Sequence, residues 1–312
     1  SRISIAFQGG EPTLAGLAYF QSFCAYVEKT NIHKHIVDYS IQTNGVGLGK
    51  EWMNFFSKHD FLVGLSVDGH QSNHDRNRLS KKGNTTHKEV METYQNLLAS
   101  KVEVNVLTVL TESLSYEPEK LYRFYKEAGI KYIQLIPCLD SLEGNTNSQA
   151  LSPKGFARFY KAFFDLWYQD MKQDNYMSIG LFEDIIPMLV GISPLQCGML
   201  GTCSVQNIIE GDGSVYPCDF YVLDQFKMGH VKEKSFTEMR LEPVVKSFLG
   251  QQKKICKECN NCRFARMCHG NCKRLSTTLF DETYCGYKDF LDYAMPRMQE
   301  LARLKLASPS IC

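Results

Sequence analysis

Nine cysteines between residues 197 and 285 constrain this chain more than any other feature, because thiols at that density need something other than an apolar core to hold them. Their spacing is Cys197-x5-Cys203-x14-Cys218, then Cys256-x2-Cys259-x2-Cys262-x5-Cys268-x3-Cys272, then x12 to Cys285. Five fall within CKECNNCRFARMCHGNC, residues 256–272, where the intervals leave almost no room for core side chains. Nine candidates suit two sites of four ligands with one to spare. Structural zinc takes four thiolate or imidazole ligands and often uses C-x2-C pairs. Iron-sulfur clusters take the same number from similar pairs, so spacing alone leaves the metal open.

Cys24, Cys138 and the terminal Cys312 stand apart from this group. No run approaches the roughly 20 apolar residues of a membrane span. The opening SRISIAFQGGEP has neither the charged n-region nor the cleavage site of a signal peptide, so the expected localisation is cytoplasmic. In a reducing compartment, 12 cysteines read as metal ligands or catalytic groups rather than as disulfides. Lys plus Arg is 35 against 34 Asp plus Glu, a net charge of +1 that offers no field for a polyanion. Neither nucleic acid nor a membrane is therefore expected as a partner.

Before the cysteines, β-rich runs alternate with amphipathic stretches. Ile3–Phe7, Tyr39–Thr43, Leu62–Val67, Glu103–Leu110 and Lys131–Ile136 read as strands. Leu14–Lys29, Trp52–Lys58, His87–Ser100 and Glu119–Ala128 read as helices, the last closed by Gly129. The alternation predicts parallel βαβ units, in a barrel or an open sheet. Ser152 and Pro153 form an N-cap and first helical residue, followed by Phe156, Phe159, Tyr160, Phe163, Phe164 and Trp167 at helical spacing, a stripe that belongs in a core. The periodic pattern stops near Gly191–Pro194, where a domain boundary is expected.

The first apolar run ends in FQGGEPTLAG, two glycines and an acid where a backbone without side chains would let a ligand approach. Alone, GGEP is also an ordinary turn. SIQTNG (40–45), GLSVDG (64–69) and LIPCLD (135–140) mark further strand ends, and in barrels of this kind the chemistry gathers at the carboxyl ends of the strands.

Taken with these motifs, the cysteine pattern resembles the SPASM domain, the twin-cluster extension of radical S-adenosylmethionine (SAM) peptide-modifying enzymes. CGMLGTC, FDLWY, GLSVDG and GDGSVYPCDFYVLD extend the resemblance to the anaerobic sulfatase-maturating enzymes along nearly the whole chain. The resemblance implies an α/β fold: an incomplete radical-SAM (β/α)6 partial TIM barrel over residues 1–190 and a cysteine-rich SPASM domain over 191–312. It implies one auxiliary [4Fe-4S] cluster on Cys197, Cys203, Cys218 and Cys272 and a second on Cys259, Cys262, Cys268 and Cys285, with Cys256 left over. Cys256-x2-Cys259 offers a competing pair. It further implies that Gly9, Gly10 and Glu11 of the GGEP stretch meet the SAM methionine, with Ser66, Arg78 and Leu139 as further SAM contacts. Read without the resemblance, Ser66 is a strand-end turn residue and Arg78 a solvated loop charge.

The activity so implied is the oxygen-independent conversion of a sulfatase cysteine or serine to Cα-formylglycine. In it a deoxyadenosyl radical takes a hydrogen from the substrate Cβ, a base removes the thiol or hydroxyl proton, and the loss of one more electron gives the thioaldehyde or aldehyde. Asp219, beside Cys218, matches the family's base, and partial burial would tune it. A turn or supporting role is the alternative for Asp219; Asp212, in the GDG turn, is expected to be a turn residue only. The implied partners are a sulfatase polypeptide and an electron donor such as ferredoxin or flavodoxin. The family's C-x3-C-x2-C motif, which ligates the SAM-binding cluster, is absent from these 312 residues, and the start at SRISIAF reads as the family's second strand. The expectation is therefore a fragment without its radical-generating cluster, inactive alone. A metal-stapled peptide-binding module and a maturase of another ribosomal peptide stand as alternatives.

Overall fold

A computed structural model describes residues 1–142 and 147–307; Cys312 lies outside the described residues. Six strands, β1 (Arg2–Phe7), β2 (Ile36–Thr43), β3 (Leu62–Ser66), β4 (Glu103–Leu110), β5 (Tyr132–Pro137) and β6 (Ser178–Ile179), form one sheet. Every neighbouring pair is parallel and the order follows the sequence from β1 to β6. A doubly wound sheet would reverse its order at a switch point, so the unbroken order is that of barrel-type (β/α) winding.

The connections are α1 (Leu17–Thr30), α2 (Lys50–Lys58), α3 (Gln71–Asn77), α4 (His87–Ala99), α5 (Pro118–Glu127), α6 (Pro153–Met171) and α7 (Gly180–Met188). The predicted helix over Leu14–Lys29 is split, with a 3-10 turn at Pro12–Ala15 and α1 starting only after Gly16. At α6, the Ser152 hydroxyl accepts from the Gly155 amide at 3.0 Å, and the six aromatics of the stripe are all buried. Each such side chain contributes about 1.5–3 kcal/mol by leaving water.

The remaining chain forms a small antiparallel sheet of β7 (Ile208–Ile209), β8 (Ser214–Tyr216) and β9 (Gly229–His230). It continues with α8 (Phe236–Arg240), α9 (Pro243–Gly250), α10 (Ala265–Cys268), α11 (Ser276–Leu279) and α12 (Gly286–Ala307). Asp212 sits in the β7–β8 turn, accepting from the Ser214 amide at 2.8 Å and hydroxyl at 2.9 Å, as a turn residue should.

The chain divides into two compact units. One comprises Ser1–Cys138 with Ala162–Phe182; the other comprises Leu139–Lys161 with the chain from Glu183 onward. This division by contacts falls inside α6 and α7, and the two halves of α6 pack with different neighbours. In the first unit Phe163, Phe164 and Trp167 join Tyr122, Tyr125 and Phe182. In the second, Phe156 and Tyr160 pack on Tyr287 and Phe290 of α12.

Candidate functional site

In the first unit the loop after β1 is held open by a single carboxylate. Glu11 caps the 3-10 turn that follows it: its Oε1 accepts from the Thr13 amide at 3.1 Å, the Thr13 hydroxyl at 2.7 Å and the Thr43 hydroxyl at 2.8 Å. Its Oε2 accepts from the Asn44 amide at 2.7 Å. One acid thus clips the carboxyl end of β1 to that of β2, and since each carboxylate oxygen offers about two lone pairs, Oε2 keeps acceptor capacity for a ligand. Gly9 and Gly10 have φ of +87° and +54°, and a Cβ on either would meet nothing within 4 Å. The loop is open at both glycines, in a backbone conformation that favours glycine.

At the end of β3, Ser66 is buried at 5% exposure, and its hydroxyl meets no hydrogen-bond partner among the described residues. Arg78 is not a solvated loop charge. Its Nε donates to Asp68 Oδ2 at 2.7 Å and its Nη2 to Asp68 Oδ1 at 3.4 Å. Asp68 Oδ1 also accepts from the Val109 amide at 2.9 Å. The backbone of Arg78 is fixed too: the Asp68 amide donates to His74 Nδ1 at 3.2 Å, His74 Nε2 lies 3.1 Å from the Thr86 hydroxyl, and that hydroxyl donates to the Arg78 carbonyl at 2.8 Å. Only a neutral imidazole protonated at Nε2 satisfies every member of this circuit. The guanidinium is left with Nη1 to offer an anionic group. Asp68, inside the GLSVDG motif, is the residue that sequence reasoning passed over.

Burial pushes the His74 pKa from 6.5 down to about 4; Asp68 and Asp75 pull it upward, and His87 and Arg78 push it further down. The folded state therefore binds fewer protons than the unfolded state between these values. The stability this provides is complete above 6.5 and is lost as pH falls towards 4. Denaturant midpoints should accordingly drop between pH 7 and 4.5, and drop less in His74→Gln; equal slopes in the two proteins would remove His74 from the account.

In the second unit, Leu139 follows β5 by two residues, and its carbonyl accepts from Asn147 Nδ2 at 3.4 Å. Asp219 is exposed rather than part-buried, because it opens a 3-10 turn at the surface. Its Oδ1 accepts from the Phe220 amide at 3.0 Å and from the Cys218 thiol at 3.3 Å. Position beside a cysteine, and not burial, is what distinguishes it.

The eight cysteines fall into two groups. Cys203 and Cys218 pack against the same aromatic cluster of Tyr221, Phe226 and Phe248. Burial first, then the charges of Cys272 and Cys203, raise the pKa of Cys197, and burial pushes Cys218 up to about 12. The entry into Cys197 is fixed by Asp184, buried at 4% exposure, whose Oδ1 accepts from the amides of Leu195 at 2.6 Å and Gln196 at 3.3 Å. A Cβ on Gly198 would lie 2.7 Å from the Cys272 nitrogen and 2.8 Å from its Cβ, so the Cys197 and Cys272 segments meet backbone to backbone. Gly198→Ala is expected to cost about 1–3 kcal/mol through overpacking. A lowered Tm would register it, and an unchanged Tm would show that the loop yields.

Cys259, Cys262, Cys268 and Cys285 line one cavity of about 250 Å3, with Phe264, Tyr287 and Leu291 on its apolar side. Burial pushes Cys268 up to about 11 and Cys285 up to about 12, and the Lys288 amide donates to Cys285 Sγ at 3.3 Å. Cys256, which competed with Cys259 on spacing, does not line this cavity: its thiol is buried 3.8 Å from the Glu282 carbonyl, close enough to Cys259 and Cys285 that its charge adds to the upward push on both. Among the described residues no three His, Cys, Asp or Glu side chains converge closely enough to hold a single metal ion. Four thiols spaced around a roomy, apolar cavity, with an N–H aimed at one sulfur, are a donor set suited to an iron-sulfur cluster. Because burial favours the protonated thiols, metal uptake must release protons.

Comparison with known proteins places the chain among iron-sulfur proteins. SPASM, an iron-sulfur cluster-binding domain family, matches residues 201–263. A cysteine-type anaerobic sulfatase-maturating enzyme of Clostridium novyi is 37% identical over 308 residues, covering 96% of this chain and 82% of the relative. A serine-type counterpart from Bacteroides thetaiotaomicron is 28% identical, covering 95% and 77%. Among solved structures, native anSMEcpe with bound AdoMet and the Cp18Cys peptide superposes with a TM-score of 0.90 at 36% identity, covering 96% of this chain and 86% of that one. Streptococcus suis SuiB, at 18% identity and a TM-score of 0.55, shares the fold alone.

Proposed function

The chain belongs to the anaerobic sulfatase-maturating enzymes, and from that membership we propose the parts its residues play in converting a sulfatase cysteine or serine to Cα-formylglycine. The reaction is oxygen-independent radical SAM chemistry: SAM, bound with a reduced [4Fe-4S] cluster, supplies the radical that takes hydrogen from the substrate Cβ. The observation that carries the reading is the four-thiol cavity of the second cysteine group, sized and lined for a cluster.

Gly9 and Gly10 admit the SAM methionine to the backbone, and Glu11 Oε2 accepts from its amino group. Ser66, Arg78 and Leu139 would be further SAM contacts. Cys197, Cys203, Cys218 and Cys272 hold one auxiliary cluster; Cys259, Cys262, Cys268 and Cys285 hold the other. Asp219 takes the thiol or hydroxyl proton. Residues 1–190 form the SAM-binding part and 191–312 the SPASM part. The substrate is a sulfatase peptide, with cysteine favoured over serine by the stronger likeness to cysteine-type relatives, 37% against 28% identity. A cytoplasmic ferredoxin or flavodoxin supplies electrons. No helix among the described residues is long and apolar enough to cross a membrane.

The 312 residues contain no C-x3-C-x2-C, so the test joins the chain behind such a segment. After anaerobic reconstitution, a Cys-x-Pro-x-Arg peptide is incubated with SAM and dithionite and followed by mass spectrometry. The aldehyde product is expected. Intact peptide from a protein carrying all its iron and sulfide would overturn the reading.

A further inference from the structure

Lys273 directly follows Cys272, yet its ammonium is turned inward. Nζ lies 3.7 Å from the centroid of the Phe248 ring and 4.8 Å from that of Tyr221. It donates to the Phe248 carbonyl at 2.8 Å and to Gln251 Oε1 at 2.7 Å. These two rings belong to the cluster against which Cys203 and Cys218 pack. One cation is thus held in an aromatic cage whose wall is shared with two cysteines of the first group, and its backbone adjoins a third. Burial lowers its pKa from the ordinary lysine value, while Cys203, Cys218 and Cys272 pull it back up.

A lysine so placed also caps the C-terminus of α9, but a cap needs only a donor. We infer that Lys273 supplies a fixed positive charge that raises the reduction potential of the cluster held by Cys197, Cys203, Cys218 and Cys272. The inference rests on the cluster reading above. A [4Fe-4S] core on four thiolates is anionic before and after it gains one electron, so each reduction adds negative charge to a negative centre. A partly buried cation fixed against the same aromatic wall offsets that repulsion more strongly than a fully solvated one. No bond forms or breaks and no proton moves; the single electron comes from dithionite in the titration.

The test is an EPR-monitored redox titration of the full chain after anaerobic reconstitution. About eight iron and eight sulfide per chain would first show both clusters in place. Lys273→Gln keeps a hydrogen-bond donor and loses the charge: one of the two reduction waves should move to lower potential, and it should be the wave that Cys197→Ala abolishes. Lys273→Arg should return it. Gln251→Glu, an exposed and nearly isosteric change that leaves Lys273 in place, should move the same wave downward by adding an opposing charge. Equal potentials in the parent and Lys273→Gln, or equal shifts in the Gln and Arg variants, would reduce Lys273 to a helix cap. Should Lys273→Gln fail to retain its cluster, Gln251→Glu decides: no shift there overturns the inference. A parent chain that binds no iron and sulfide would overturn the cluster reading and this inference with it, whereas two clusters with unmoved waves would overturn the inference alone.

Discussion

Asp219→Asn is expected to lower kcat about 10²- to 10⁴-fold, the usual contribution of a positioned acid–base group, while peptide KM and iron content stay unchanged. The substitution keeps size and hydrogen-bonding shape but removes the proton acceptor. Asp219 Oδ1 is shared between the Phe220 amide and the Cys218 thiol. With Cys218 as an iron-bound thiolate, in the proposed role, that S–H donor would be gone and Asp219 would gain acceptor capacity for a substrate proton. Steady-state kinetics with a cysteine peptide and with a serine peptide read the effect. Full turnover in the variant would sink the assignment. Loss of iron with loss of turnover would show instead that Asp219 serves to hold Cys218.

The second large effect is expected at Asp68, where Asp68→Asn should destabilise the protein by about 3–5 kcal/mol, the cost of stranding one partner of a buried ion pair. Asp68 is 4% exposed and takes three hydrogen bonds, two from Arg78 and one from the Val109 amide. An asparagine has one acceptor oxygen and would turn an N–H donor towards a donor-only guanidinium. Against a total stability of about 5–15 kcal/mol, the change is large. Chemical denaturation of the parent, Asp68→Asn, Arg78→Met and the double variant completes a cycle in which the double should cost about 0.5–3 kcal/mol less than the sum. Additive costs would mean that the two residues act independently, and Asp68 would then not be what fixes Arg78.

Much of the fold is legible in the order of the residues. Glu103–Leu110 is β4 to the residue, because an apolar strand between polar ends is set by local pattern. Ser152 caps α6 through a bond to a residue three positions away, and the aromatic stripe is buried because helical spacing puts those rings on one face. By contrast, α3 has the polar sequence QSNHDRN, with no apolar period to mark it. Strand β6 has two residues, and only pairing with β5 makes it a strand.

The site divides the same way. Residue type and spacing marked the clustered cysteines as candidates for two four-ligand sites with one to spare, since such intervals cannot build an apolar core. Which four share a cavity, and why Cys256 is not among them, depends on α12 bringing Cys285 to a loop that ends near residue 270. Likewise GGEP marked a loop whose glycines take positive φ at the end of β1. That Asp68 anchors Arg78, that His74 stays neutral beneath it, and that Asp219 is exposed were decided by contacts between groups 6 to 12 residues apart or by surface position. Local chemistry is written in neighbouring residues; burial and charge pairing come into being only when distant segments meet and exclude water.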